Sequence, residues 1–160
     1  MENDLRQLYQ DMILEHARKP RNFGVLNTAN RHAHGNNPLC GDDITVHLEL
    51  ADDDTVRDIK FEGHGCAIHT AAASVMTGLA KGKKVSELTD LFKTFRDEVM
   101  EEDNGEQGAG EEGAGEAGLP KKLKVFTGVK AYPMRVKCAT LAWHTLTAAL
   151  EGEQDEVTTE

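Results

Sequence analysis

Leu5, Leu8, Tyr9, Met12 and Ile13 recur at three- and four-residue intervals, the spacing of one helical face, and Pro20 has to end that helix at or just before Lys19. Arg21 to Pro38 carries Gly, Asn and Pro with little periodicity, which predicts an extended, loop-rich approach to Cys40, with room for a strand just before it. Ile44, Val46, Leu48 and Leu50 then alternate with Thr45, His47 and Glu49, the pattern of a strand with one buried and one wet face. Ala51 to Asp54 supplies a polar turn, after which Val56 to Phe61 returns antiparallel to close a hairpin. From Cys66 the period becomes helical. Ala67, Ala71, Val75 and Leu79, flanked by Ile68, Ala72 and Met76, form a small-residue face that Gly82 terminates. Ser86 is the expected N-cap of a helix carrying Leu88, Leu91, Phe92, Phe95 and Val99. A short helical segment with Leu123, Val125 and Phe126 is expected after Pro120, and Pro133 opens a last helix holding Cys138, Leu141, Ala142, Leu146 and Leu150. Strands first and helices afterwards predict an α+β fold, a small antiparallel sheet with helices on one face.

Composition changes this picture in one respect. The chain of 160 residues carries a net charge of −10, but residues 101–120 hold seven acids and residues 151–160 five, with no base in either segment. The remainder has 16 acids against 18 bases, so the acidity belongs to two solvated segments and argues against nucleic-acid or anionic-membrane partners. Residues 101–118 include six glycines and almost nothing apolar, which predicts a mobile loop. The expected organisation is one domain over 1–150, including that loop, and a flexible acidic tail over 151–160. No apolar run approaches the ~20 residues that cross a bilayer, and the amphipathic, charged N-terminus is unlike a secretion signal, so a cytoplasmic protein is expected.

The three cysteines are odd in number and separated by 26 and 72 residues, which fits reduced thiols rather than a disulfide framework. Cys40 and Asp42 flank a glycine that lets the backbone turn and bring both side chains to one point. Cys66 opens a helix, where the dipole favours a thiolate. Cys138 stands near the start of the last helix behind Arg135 and Lys137, so that all three cysteines are expected at junctions between elements. Three thiolates and a carboxylate suit tetrahedral zinc or cluster iron. From spacing alone, ordinary buried thiols, or a Cys nucleophile beside His64 or His69, remain open. Asp43 reads as a solvating carboxylate, His69 as a helix-surface or core-satisfied histidine, His32 and His34 as loop residues, and Trp143 as core.

Asn-Pro-Leu-Cys-Gly-Asp-Asp at 37–43, Phe-Glu-Gly-His-Gly-Cys-Ala-Ile at 61–68 and Arg-Val-Lys-Cys-Ala-Thr-Leu-Ala-Trp at 135–143 together resemble the SufU/IscU/NifU-N family of iron-sulfur cluster assembly proteins. The segment from Leu8 to Gly24 is similar to that family as well, so the resemblance spans nearly the whole domain. It implies that Cys40, Asp42, Cys66 and Cys138 are the metal-site residues. Lys137 stands where IscU-like members usually have histidine, and the link from Cys66 to Cys138 is long. With Arg135, these features resemble the SufU branch, which the resemblance associates with zinc and with accepting sulfur from a cysteine desulfurase. His64 replaces an acidic residue expected before Gly65 and is a candidate additional ligand.

The resemblance implies a zinc-dependent acceptor and carrier of persulfide sulfur, a sulfurtransferase acting with a SufS-like desulfurase and passing sulfur to a downstream scaffold or acceptor protein. Cys40, on a loop, is the expected sulfur acceptor, and Arg135 is expected to dock the partner or steady a released ligand. Two alternatives use the same ligands: a scaffold for a transient [2Fe-2S] cluster, with iron in place of zinc, and an interaction module with a structural zinc.

Overall fold

The computed structural model describes residues 2–38, 40–100, 120–126, 133–152 and 157–158. Helix α1 spans Glu2–Arg18, followed by strands β1 (Arg31–Asn37), β2 (Asp42–Leu50) and β3 (Val56–His64). Helices α2 (Ala67–Ala80), α3 (Val85–Met100), the single turn α4 (Lys121–Lys124) and α5 (Pro133–Leu150) come next, and β4 (Val157–Thr158) is last. The sheet order is β3-β2-β1-β4; β1, β2 and β3 are antiparallel, and β4 adds in parallel beside Gly35 and Asn36. The α+β architecture is therefore as the periodicity predicts.

Alternation fixes which face of the sheet is covered. Ala33, Ile44, Val46, Leu48, Ile59 and Phe61 are buried on one side, where α5 packs on β1 and β2 and α2 packs on β3. A register shift at Glu49/Leu50 leaves Arg57 as an extra residue, so that Val56 is turned inward like Ile59 despite the odd spacing between them. The outer edge of β3 is partly closed by the chain after α1: Gly24 N–H donates to the Phe61 carbonyl at 2.8 Å, and Phe61 N–H donates to the Asn22 carbonyl at 3.0 Å. Trp143 on α5 is fully buried and stacks on Phe92 of α3 at 5.9 Å between centroids, as expected for core.

The small-residue face of α2 lets α1 approach closely. Ser74 Oγ accepts the Arg21 N–H at 2.8 Å and lies 2.7 Å from Nδ1 of buried His16, so one hydroxyl ties the end of α1 to α2. Gly82, at φ 88°, ends α2 as its position predicts.

Several expectations are corrected. The approach to Cys40 is not only loop: Arg31–Asn37 is a strand, and His32 and His34 lie on it, because pairing with β2 satisfies a backbone whose side-chain pattern has no apolar alternation. Strand β3 runs past Phe61 to His64. Helix α3 starts before Ser86, at Val85, with the Lys84 N–H donating to Glu87 Oε1 at 2.9 Å, so Ser86 is not its N-cap. Within the tail expected to be flexible, Val157 and Thr158 form β4. The acidic stretch 101–118 falls outside the described residues. Among those that are described, no helix is long and apolar enough to cross a membrane.

Candidate metal centre

Three elements bring the cysteines together. The β1–β2 hairpin carries Cys40 and Asp42, with Asn37 and Asp42 as its last paired residues. The Cys40 and Gly41 N–H groups both donate to the Asn37 carbonyl, at 3.1 and 2.9 Å, and Gly41 takes φ 73°, a conformation that a side chain would strain. Cys40 thus sits half-exposed on a tight loop, while Asp42, the first residue of β2, points inward and is 2% exposed. Cys66 is the N-cap of α2, its sulfur accepting the His69 N–H at 3.4 Å, while its own N–H donates to Asp42 Oδ1 at 3.1 Å. Cys138 is fully buried in the second turn of α5. That position corrects the expectation of three junction cysteines: Cys138 has a helical backbone, and only its side chain reaches the meeting point.

One ligand atom each from Cys40, Asp42 and Cys138 lies within 4.8 Å of the others. Cys66 joins through Cys138, whose thiol contacts the Cys66 sulfur, Asp42 and Cys40. The Cys138–Cys66 contact divides the two thiols. A hydrogen bond from Cys138 is the largest influence on Cys66, and with the His69 N–H it brings the Cys66 pKa down to about 6 against the opposing effects of burial and Asp42. Cys138 is pushed up, first by holding its proton toward Cys66 and then by burial. Without metal, the pair is one thiolate and one thiol sharing a proton. The exposed Arg135 guanidinium, one turn before Cys138, is held charged chiefly by Cys66 and then by Cys138, with hydrogen bonds to both sulfurs.

The buried polar groups here are short of partners in a way that suits a cation. Asp42 Oδ2, His69 Nδ1 and both side-chain polar atoms of Asn37 are buried without a hydrogen bond to any described residue. A buried carboxylate oxygen without a hydrogen bond is costly, and a metal ion offsets that cost. Together with soft thiolates, Asp42 gives a donor set that fits zinc or iron.

Other sequence candidates fall outside this centre. His64 is exposed and pairs in register with Asp43, and it is not part of the three-residue group. Asp43 lies 2.9 Å from His34 Nε2 on the open face of the sheet. His69, expected on the surface or satisfied in the core, is in the core but only half satisfied: it is 1% exposed and close to Asp42, its ring is hydrogen-bonded to the Asp43 backbone, and its Nδ1 has no partner among the described residues. The signal for it was present in the chain, since the third residue after an N-cap cysteine stands over that cysteine, one turn along the helix. Gly65 was also missed. An added Cβ there would overlap Asp42 Oδ1 and the His69 ring, so only glycine lets β2 and α2 close on each other at the site.

The family model described as NifU-like N terminal domain matches residues 8–139, a span that contains all four proposed ligands. The chain belongs to this family. Among its relatives, the zinc-dependent sulfurtransferase SufU of Bacillus subtilis (strain 168) is 38% identical over 151 residues, covering 94% of this chain and 95% of that one. The iron-sulfur cluster assembly scaffold protein IscU of Streptococcus pyogenes serotype M1 is 35% identical over 147 residues, covering 92% and 85%. A solved structure from Fervidobacterium islandicum AW-1, described as a scaffold protein for the SUF system, superposes with a TM-score of 0.74 at 32% identity, covering 88% of this chain and 94% of that one. Family membership and fold thus agree with the resemblance carried by the three cysteine segments.

Proposed function

We propose that this protein serves iron-sulfur cluster assembly as a zinc-dependent acceptor of persulfide sulfur from a cysteine desulfurase. The observation that carries the reading is the convergence of Cys40, Asp42 and Cys138 within 4.8 Å, with Cys66 and Arg135 against the same sulfur. Similarity to SufU over 94% of the chain supports zinc and sulfur transfer as the particular chemistry.

Cys40, Asp42, Cys66 and Cys138 would hold the zinc, which keeps thiols deprotonated and prearranged at neutral pH. The residues divide the remaining work. Cys40 is the proposed nucleophile because Cys138 is fully buried and, of the two half-exposed cysteines, Cys40 lies on a loop while Cys66 caps α2. Its thiolate attacks the terminal sulfur of a persulfide on the desulfurase. A Cys40 Sγ–S bond forms, the partner's own S–S bond breaks, and the electron pair leaves on the partner's cysteine as a thiolate. Arg135 is the proposed electrostatic guide, exposed enough to meet the partner and close enough to steady sulfur anions in the site. The sulfur then passes to a downstream scaffold or acceptor protein.

Rates of alanine production from cysteine, measured with a SufS-like desulfurase, test this reading. Wild type is expected to accelerate the reaction and Cys40→Ala to leave it at the level of the desulfurase alone. Equal stimulation by both proteins would support a structural metal instead. A second reading is favoured by the IscU relatives: the same residues assemble a [2Fe-2S] cluster as cargo. Anaerobic reconstitution that yields a stable cluster, without desulfurase stimulation, would select it.

A further inference from the structure

The open face of the sheet carries a second constellation of metal-ligating side chains, remote from the cysteines. His32 on β1 and His47 on β2 are directly opposed in register, and their Nδ1 atoms lie 2.8 Å apart with the rings nearly perpendicular, at 83°. On its other side, His47 Nε2 is 2.9 Å from Glu62 Oε2 on β3. His47 is 7% exposed although it stands on the face that no described helix covers. A buried imidazole on an otherwise wet face, with both nitrogens engaged by neighbouring strands, is a built arrangement and not a solvated side chain.

The proton positions follow from donor chemistry. A carboxylate only accepts, so Glu62 fixes the proton of neutral His47 on Nε2 and leaves Nδ1 as a lone pair. His32 must then donate from its own Nδ1. The pairing of a carboxylate with the far nitrogen of a histidine is the arrangement that orients metal-binding imidazoles and raises their basicity. His32 needs only to move its proton to Nε2 to present a second lone pair, with no net change in protonation. Two nitrogens bound to one tetrahedral zinc at about 2.0–2.1 Å stand roughly 3.3 Å apart, so the pair must widen by only ~0.5 Å. A surface depression of about 310 Å³ bordered by His32, His34 and Thr45 adjoins the pair and offers room for water to complete the coordination. Two cations lie near: Lys60, the register partner of His47 on β3, which Glu62 offsets, and Arg31, which lines the depression but donates to the Ala149 and Leu150 carbonyls.

The geometry points to a second metal site on this chain, in which His32 Nδ1 and His47 Nδ1 bind a zinc-class divalent transition ion and Glu62 orients His47. It is distinct from the cysteine centre. His47 lies five positions after Asp42 on β2, about 17 Å at the rise of a strand, and the two side chains project from opposite faces. Two neutral imidazoles with water favour zinc, nickel or copper over magnesium or calcium, and such a site exchanges its ion more readily than thiolates do.

The test is the zinc content of the tag-free full chain after equilibrium dialysis at pH 7.5 against micromolar zinc, compared with His32→Gln and His47→Gln. Wild type is expected to hold one equivalent more than either variant, and Glu62→Gln to bind the added equivalent about ten-fold more weakly. His32 is exposed, so His32→Gln keeps the comparison valid if His47→Gln disturbs the sheet; melting curves report which has occurred. Zinc content identical in wild type and both folded variants would overturn the assignment. A failure of the cysteine centre lowers all the proteins alike and leaves this difference untouched, so the two sites are tested separately.

Discussion

Gly65→Ala is expected to damage the metal centre without removing any ligand. An added Cβ would overlap Asp42 Oδ1 and the His69 ring and would lie 3.1 Å from Asp42 Cα, which belongs to β2 and cannot retreat. Relief therefore comes from turning the Asp42 carboxylate, which breaks its 3.1 Å hydrogen bond from the Cys66 N–H. A hydrogen bond to a charged acceptor contributes about 1.5–3 kcal/mol, and over-packing a tight site costs about 1–3 kcal/mol. Loss of a group that orients a ligand typically weakens metal binding by roughly 10–100-fold. Chelator competition should therefore show zinc affinity reduced within that range, and thermal melts a midpoint lowered by several degrees at about 2–4 °C per kcal/mol. Gly78→Ala is the control. It lies in the interior of α2 with nothing within 4 Å of an added Cβ, and it should be neutral or stabilised by about 0.4–1 kcal/mol. If Gly65→Ala bound zinc and melted like wild type, Asp42 would not be held where the geometry puts it, and the proposed ligand set would lose its carboxylate.

Other expectations follow from the same groups. Asp42→Ala should weaken zinc while leaving all three thiols, giving uncoupled, leaky sulfur transfer in the desulfurase assay; tight zinc and fully coupled transfer would contradict its role. In metal-free protein, iodoacetamide at pH 7 should modify Cys66 well before Cys138, because Cys66 titrates near 6 while Cys138 is buried and pushed up; peptide mapping reads the order. His16 and His144 are both lowered from 6.5, His16 by burial and then by Arg21 and Lys122, His144 by burial and then by Arg96. The unfolded chain therefore takes up more protons as pH falls below about 6.5, so stability is complete above that pH and declines beneath it, by at most about 1.4 kcal/mol per pH unit per histidine. His16→Gln should flatten this decline in melts between pH 5 and 8.

The parts of the fold that were legible are those where burial writes a period. Ile44, Val46 and Leu48 announced β2, and the Ala-rich stripe after Cys66 announced α2, because each buries one face continuously. Strand β1 was obscured because its inward positions are Ala33, Gly35 and Asn37 and its outward ones include His32 and His34, so backbone pairing and not side-chain hydrophobicity makes it a strand. At the site, three local segments named the proposed ligands through resemblance, but no spacing rule says that the side chain of Cys138, 72 residues from Cys66, is the point on which the others converge. Gly65 was silent for a related reason: its importance lies in what approaches it from β2, a tertiary fact, whereas the place of His69 three residues after Cys66 was a signal that went unread.

The claim that organises this account is that sulfur arrives on Cys40. The most direct measurement is mass spectrometry of the chain after brief reaction with a cysteine desulfurase and free cysteine, with rapid alkylation to trap persulfides and peptide mapping of the three cysteines. The account predicts one added sulfur on the peptide carrying Cys40, none anywhere in Cys40→Ala, and unmodified Cys138. A persulfide found only on Cys66 or Cys138, or none at all beside a stably assembled cluster, would contradict it.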